Sequence, residues 1–324
     1  MPLFTLDDLG RAIQIVRTAI PCTPTYGWPL LRARTGVEVF VKHENHTPAG
    51  AFKVRGGMVY LEALRQAGKL PKGVVTATRG NHGQSVAAAA RRHGIPAVIV
   101  VPKGNSPEKN AAMQGFGAEL LVAGEDFDES RKVAAELAEV RGYHFVPSFH
   151  AELVKGVATY AHELLEGTPG LDVVYVPIGM GSGICAMITV RDLLGLKTEV
   201  VGVVAENAPA FALSFAAGKP VSTKTARTFA DGMACREPQA APFAIVKAGA
   251  ARILTLSEDE IANATRVYFS DTHNVAEGAG AAPLAGLIRE ADRYRGKRAA
   301  VVLTGGNIDT VMFAQVLAGH TPAV

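Results

Sequence analysis

Several separated stretches carry residue types that can do chemistry together. Lys53 follows the turn Pro48-Ala49-Gly50 and stands where a helical pattern begins, running from about Val54 to Gln66. An amine at such a helix mouth lies near backbone N–H groups whose partial positive charge favours its neutral, nucleophilic form. Taken alone, a lysine here also reads as a solvated first-turn residue. The stretch Thr78-Arg79-Gly80-Asn81-His82-Gly83-Gln84 leads from a β-branched run into a helix. Its amides, with Arg79 beside them, suit a carboxylate or another anion. Gly179-Met180-Gly181-Ser182-Gly183 is a second strand-to-helix turn, and its glycines let backbone amides close on a phosphate. Thr304-Gly305-Gly306-Asn307 ends a buried strand with a hydroxyl, and Glu277 precedes a helix, where a carboxylate also serves as an N-terminal charge.

A lysine, an anion loop, a phosphate loop and a terminal hydroxyl make chemical sense together around an aldehyde that bears a phosphate. Pyridoxal phosphate is such a molecule, with lysine as its covalent anchor. Gly179 and Gly181 also half-match the dinucleotide fingerprint, but its third glycine falls at Ile184; Glu206, at the next strand end, stands where the ribose-binding acid belongs. A nicotinamide-dependent dehydrogenase is therefore a competing reading, and a catalytically silent amino-acid-binding protein a third. His43 and His46 flank a turn with no acid or thiol spaced to complete a metal site.

The elements that must position these residues read as α/β. Runs rich in β-branched residues at 37–42, 74–77, 97–101, 118–122, 142–146, 173–176, 200–205, 253–256 and 299–303 alternate with helical stretches. That rhythm implies open parallel sheets with helices on both faces, in two lobes sharing a crevice, with ligands at the carboxyl ends of strands. Between Pro209 and Lys247 the rhythm is lost. Thr5 and Asp8 resemble a capping box opening an amphipathic helix, and the acidic N-terminal stretch does not read as a signal peptide.

Composition narrows the classes. The chain has 324 residues, 48% of them hydrophobic, enough for one large core or two smaller ones. A net charge of +3 without basic blocks argues against nucleic acid, and no apolar run reaches membrane-spanning length. Three cysteines, Cys22, Cys185 and Cys235, lie far apart in no metal or redox spacing, which suits a reducing, cytoplasmic setting.

The stretch Pro48-Ala49-Gly50-Ala51-Phe52-Lys53-Val54-Arg55-Gly56 resembles the Pro-Thr-Gly-Ser-Phe-Lys-x-Arg-Gly signature of the threonine/serine dehydratase and serine racemase group, the fold-type II (tryptophan synthase β-like) pyridoxal phosphate enzymes. Asn81-His82 within its loop, Gly179 to Gly183, Thr228 to Gly232 and Thr304 to Asn307 resemble further family segments in the same order. The likeness implies a large cofactor-binding domain over 1–69 and 151–324 and a small mobile α/β domain over 70–150. It implies that Lys53 carries the cofactor and moves the Cα proton. Phe52 would neighbour the ring, and Asn81 would bond the ring's 3′-oxygen. Gly179, Met180, Gly181, Ser182 and Gly183 would hold the phosphate, Glu277 would join the cofactor site, and Thr304 would face the pyridine nitrogen. Thr78, Arg79, Gly80, Asn81 and His82 would take the substrate. A hydroxyl at the ring nitrogen makes the ring a weaker electron sink than a carboxylate would, which favours β-elimination over transamination.

The implied activity is a dehydratase, or ammonia-lyase, converting 3-hydroxy-L-amino acids of the threonine, serine or phenylserine type into 2-oxo acids and ammonia. An amino-acid racemase is the alternative of the same cofactor class, and a homodimer is expected. Arg79 replaces the group's usual serine, and a guanidinium is a poor proton donor, so racemisation should be weak. Arg79 and the apolar stretch Ala208 to Phe215 point to an enlarged, aromatic-tolerant pocket, with hydroxyaspartate open as well. Glu206 matches one cation ligand of the group, but Ala212 falls where a second acid is expected, so no metal site is assigned. The chain ends soon after the last strand, so no regulatory domain is expected.

Overall fold

The computed structural model describes residues 3–323. Ten strands form two sheets: β1 (Thr25–Gly27), β2 (Glu38–His43), β3 (Val74–Ala77), β4 (Ala97–Val101), β5 (Glu119–Val122), β6 (His144–Phe145), β7 (Val173–Pro177), β8 (Glu199–Ala205), β9 (Arg252–Leu256) and β10 (Arg298–Leu303). The larger sheet has the order β1-β2-β10-β7-β8-β9, the smaller β5-β4-β3-β6. All neighbours pair in parallel except β1 with β2, which are antiparallel at one edge. The central strands are continuous apolar runs because helices cover both faces; Val173, Val174, Tyr175 and Val176 of β7 are all buried.

Helix ends follow local chemistry. Thr5 and Asp8 form the capping box of the helix Leu6–Arg17, and Ser257 with Glu260 forms another for Glu258–Thr272. Gly36 closes the helix Pro29–Thr35 in the left-handed conformation. That helix and β1 escape the periodicity argument, being only seven and three residues long. The stretch without rhythm holds two short helices, Ala210–Ala217 and Ala240–Gly249.

The helix Lys53–Gln66 is the hub between the sheets. Its apolar face, with Val54, Met58 and Leu61, joins a core that includes Val74 and Ile99 of the smaller sheet. Gly56 and Gly57 let it press against Leu153 and Ser85, where a Cβ would meet backbone. Arg55, fully buried, is fixed by two carboxylates: Nε donates to Glu44 (2.7 Å), and Nη1 and Nη2 donate to Glu163 (3.0 Å each). Lys42, at the end of β2, donates to the same Glu163 at 2.7 Å. This ionic cluster locks the helix to β2 and to the helix Ala151–Gly167. Among the described residues no helix is long and apolar enough to cross a membrane.

Candidate active site

The three glycine-bearing turns follow β3, β7 and β10, all at carboxyl ends of parallel strands, and they converge on Lys53. The turn before Lys53 is held from both ends. Thr47 accepts from the Ala51 N–H and donates to the Ala51 carbonyl, and Gly50, at φ 63°, supplies the left-handed step. The Phe52 N–H donates to the Thr304 carbonyl at 2.9 Å, and Asn307 donates to the Ala49 carbonyl at 2.9 Å, stitching this turn to the end of β10. The lysine is thus aimed by backbone bonds.

Among the described residues the Lys53 Nζ has no hydrogen-bond or ion-pair partner; it stands 4.7 Å from the centroid of the Phe52 ring. Burial pushes its pKa down, opposed by the negative charges of Glu277 and Asp231. Desolvation thus leads its drift toward the neutral amine, at the first position of the helix Lys53–Gln66.

On one side of Lys53 lies a narrow slot lined by Phe52, Asn81, the Gly179-to-Gly183 turn, Glu277 and Thr304. On the other lies a wider cavity of about 680 Å³, whose lining includes Thr78, Arg79, Gly80, Asn81, His82, Lys109 and Asp231. Lys53, Asn81, Gly179, Met180 and Gly232 line both. Every position expected at the site from sequence, Glu206 apart, lines one of these two spaces. Glu206 is exposed beyond the end of β8, and among the described residues no cluster could hold a metal ion. The stretch Ala208 to Phe215 also stays out of the cavities; Phe211 packs beneath Gly181 instead.

Lys109 was not legible as a site residue. It reaches across from the helix Pro107–Gly115, near-buried, and its Nζ donates to Asp231 at 2.6 Å and stands 3.7 Å from Glu277. These charges hold the Lys109 ammonium above its usual range. Glu277 accepts from Asn81 Nδ2 at 2.6 Å, while Asn307 donates to Asn81 Oδ1 at 2.8 Å. The other carboxylate oxygen of Glu277 is buried without a hydrogen-bond partner, and burial raises this carboxyl to about 7. Nothing in the local spacing announces Lys109, which lies 122 residues from Asp231. His82, buried on the cavity wall, is pushed down to about 4 by burial and by Lys53.

Comparison with known families gives the chain's cofactor class. The family described as "Pyridoxal-phosphate dependent enzyme" matches residues 16–305. The chain belongs to this family. An L-threonine ammonia-lyase of Thermotoga maritima is 33% identical over 316 residues, spanning 97% of this chain and 78% of that protein. An L-threo-3-hydroxyaspartate ammonia-lyase of a Pseudomonas species is 32% identical over 320 residues, spanning 98% and 100%. The crystal structure of a pyridoxal 5′-phosphate-dependent aspartate racemase aligns with a TM-score of 0.90 at 26% identity, covering 95% of this chain and 97% of that one. Membership of this family removes the ground for a nicotinamide-dependent dehydrogenase. The slot suits the group physically: a free amine for its aldehyde, a glycine turn at a helix mouth for its phosphate, and beside Asn81 a buried carboxylate oxygen without a hydrogen bond.

Proposed function

We propose that the protein is a pyridoxal-phosphate dependent ammonia-lyase that removes the β-hydroxyl of 3-hydroxy-L-amino acids and releases a 2-oxo acid and ammonia. The observation that carries this reading is the unpaired, desolvated Lys53 amine between a glycine-lined slot and a cavity headed by the Thr78-to-His82 loop. The named activities of the two ammonia-lyases, each about a third identical over nearly all of this chain, support it.

When bound, the cofactor supplies an aldehyde that bonds covalently to an amine and a ring that accepts electrons. Lys53 anchors it, and the Gly179, Gly181, Ser182 and Gly183 amides, with Met180 in the same turn, receive the phosphate. Phe52 and Asn81 position the ring, and Thr304 offers a hydroxyl rather than a charge to its nitrogen. Lys53, with its pKa lowered by burial, takes the substrate's Cα proton. The amides opening the helix Asn81–Arg92 hold the α-carboxylate. A guanidinium at Arg79 is a poor proton donor, which disfavours delivery of a proton to the opposite face and so favours elimination over racemisation.

Residues 70–150, which carry the four-stranded sheet, form the smaller domain of this reading; they pack on the helix Lys53–Gln66 and also reach the remainder through Lys109–Asp231 and Asn81–Glu277. Three free thiols, two of them buried, support a reducing, cytoplasmic setting, and a homodimer is the assembly to test by light scattering.

The experiment is 2-oxo acid release from a panel of 3-hydroxy amino acids by the yellow holoenzyme, with the Lys53→Ala variant beside it. Visible absorbance and turnover should both be lost in the variant. A Lys53→Ala protein that still releases 2-oxo acid at the wild-type rate would refute the role given to this lysine.

A further inference from the structure

The cavity above Lys53 does not end at Arg79. It opens into an outer, solvent-facing chamber of about 1210 Å³ between the start of the helix Phe127–Arg141 and the segment 220–240. Four residues line both spaces and form the neck between them: Arg79, Phe127, Met180 and Ala234. Three are apolar, and the fourth is a guanidinium that makes no hydrogen bond or ion pair with any described residue.

A methyl group at Cβ would leave such a neck open to water. A flat aromatic substituent placed there would sit among Phe127, Met180 and Ala234 and beside the unpaired Arg79, a cation that an aromatic face attracts. A second carboxylate is less well served. Arg236, in the outer chamber, is already drawn to Asp126 (3.7 Å) and Asp128 (3.5 Å), and Glu237 adds another negative charge. The formal charges lining the outer chamber, Arg79, Arg131 and Arg236 against Asp126, Asp128 and Glu237, cancel. The inner cavity adds Asp231, whose charge is met by Lys109.

We infer that the neck formed by Arg79, Phe127, Met180 and Ala234 is the subsite for the substrate's β-substituent, and that it selects 3-hydroxy amino acids bearing an aryl group at Cβ. This rests on the lyase reading above and deepens it. Ala234 is the lever, because it is small, only partly buried and lines both spaces.

The test compares kcat/KM for threo-phenylserine, threonine and threo-3-hydroxyaspartate in wild-type holoenzyme and in the Ala234→Leu and Arg79→Met variants, with cofactor content measured by absorbance. The wild type should prefer phenylserine. Ala234→Leu should lower the phenylserine-to-threonine ratio about tenfold or more, as filling an apolar subsite does. Arg79→Met should lower phenylserine turnover without creating a preference for hydroxyaspartate. A wild type that turns over threonine but not phenylserine overturns the inference and leaves the lyase reading standing. So does hydroxyaspartate as the preferred substrate with loss of that preference in Arg79→Met, or an equal fall for phenylserine and threonine in Ala234→Leu. No release from any of the three substrates by cofactor-loaded enzyme overturns both.

Discussion

Asn81 Nδ2 donates to Glu277 Oε1 across 2.6 Å, joining the loop after β3 to the mouth of the helix Gly278–Arg289 beside the larger sheet. The bond spans the two sheets at the point where the slot and the cavity meet. Its acceptor is also the least settled charge in the site, buried, with one oxygen lacking a hydrogen bond and a pKa raised to about 7.

That raised value makes Glu277 a measurable contributor to pH-dependent stability. Its folded-state pKa lies above its ordinary 4.5, so the native protein holds a proton through that window that the unfolded chain has lost. The stabilising contribution is fully present below pH 4.5 and is lost as pH rises through 7. Across the window it amounts to roughly 3 kcal/mol. In Glu277→Gln this component should vanish, because the amide keeps an acceptor for Asn81 but cannot ionise. Urea unfolding of both proteins between pH 4.5 and 8 measures the difference; parallel curves would show that Glu277 does not titrate near neutrality.

Arg55 gives a second, larger effect on stability. It is fully buried between Glu44 and Glu163, which also accepts from Lys42. Replacing Arg55 with Met preserves much of the volume but leaves Glu44 without its cation and Glu163 facing only Lys42 and the part-exposed Arg17. Breaking a buried network in this way costs about 3–5 kcal/mol. The loss should appear as a lower midpoint in urea for Arg55→Met. A shift equivalent to less than about 1 kcal/mol, within the range of an exposed pair, would mean that the cluster relaxes or is hydrated.

The sequence made the scaffold legible where a strong local signal existed. The capping box at Thr5 and Asp8, the strands β3 and β4, and the helix from Lys53 to Gln66 follow from patterns confined to a few neighbouring residues. The glycine turns were legible for the same reason, since each stands between a buried strand and a helix start. What escaped depends on distance in the chain. Lys109 meets Asp231 only because the smaller sheet folds over the larger, and no spacing rule connects them. His43 looked like a turn residue, but it is fully buried, accepts from Trp28 at 3.1 Å and stacks on His46. The apolar stretch Ala208 to Phe215 suggested a pocket wall and instead supports the underside of the Gly181 turn. Hydrophobicity says that a segment is buried, and only the topology says against what.

The glycine turn after β7 provides the sharpest test of the cofactor slot. Gly179 lies so close to the backbone of Gly232 that a Cβ there would overlap the Gly232 carbonyl oxygen. A backbone carbonyl in the 231–233 turn cannot swing aside like a flexible side chain, because Met233 N–H bonds Ala230 and Ala234 N–H bonds Asp231 within it. The Gly179→Ala change must therefore move the turn that opens the helix Ser182–Leu193, and with it the amides assigned to the phosphate. We expect cofactor affinity to fall about tenfold or more, a loss near 1.4 kcal/mol. The rest of the fold should persist, since the substitution lies in a connection and leaves the buried strands untouched. Titration of the apoprotein with pyridoxal phosphate, followed by visible absorbance, reads the affinity, and far-ultraviolet circular dichroism reads the fold. Unchanged affinity with an unchanged spectrum would mean that the phosphate is held elsewhere.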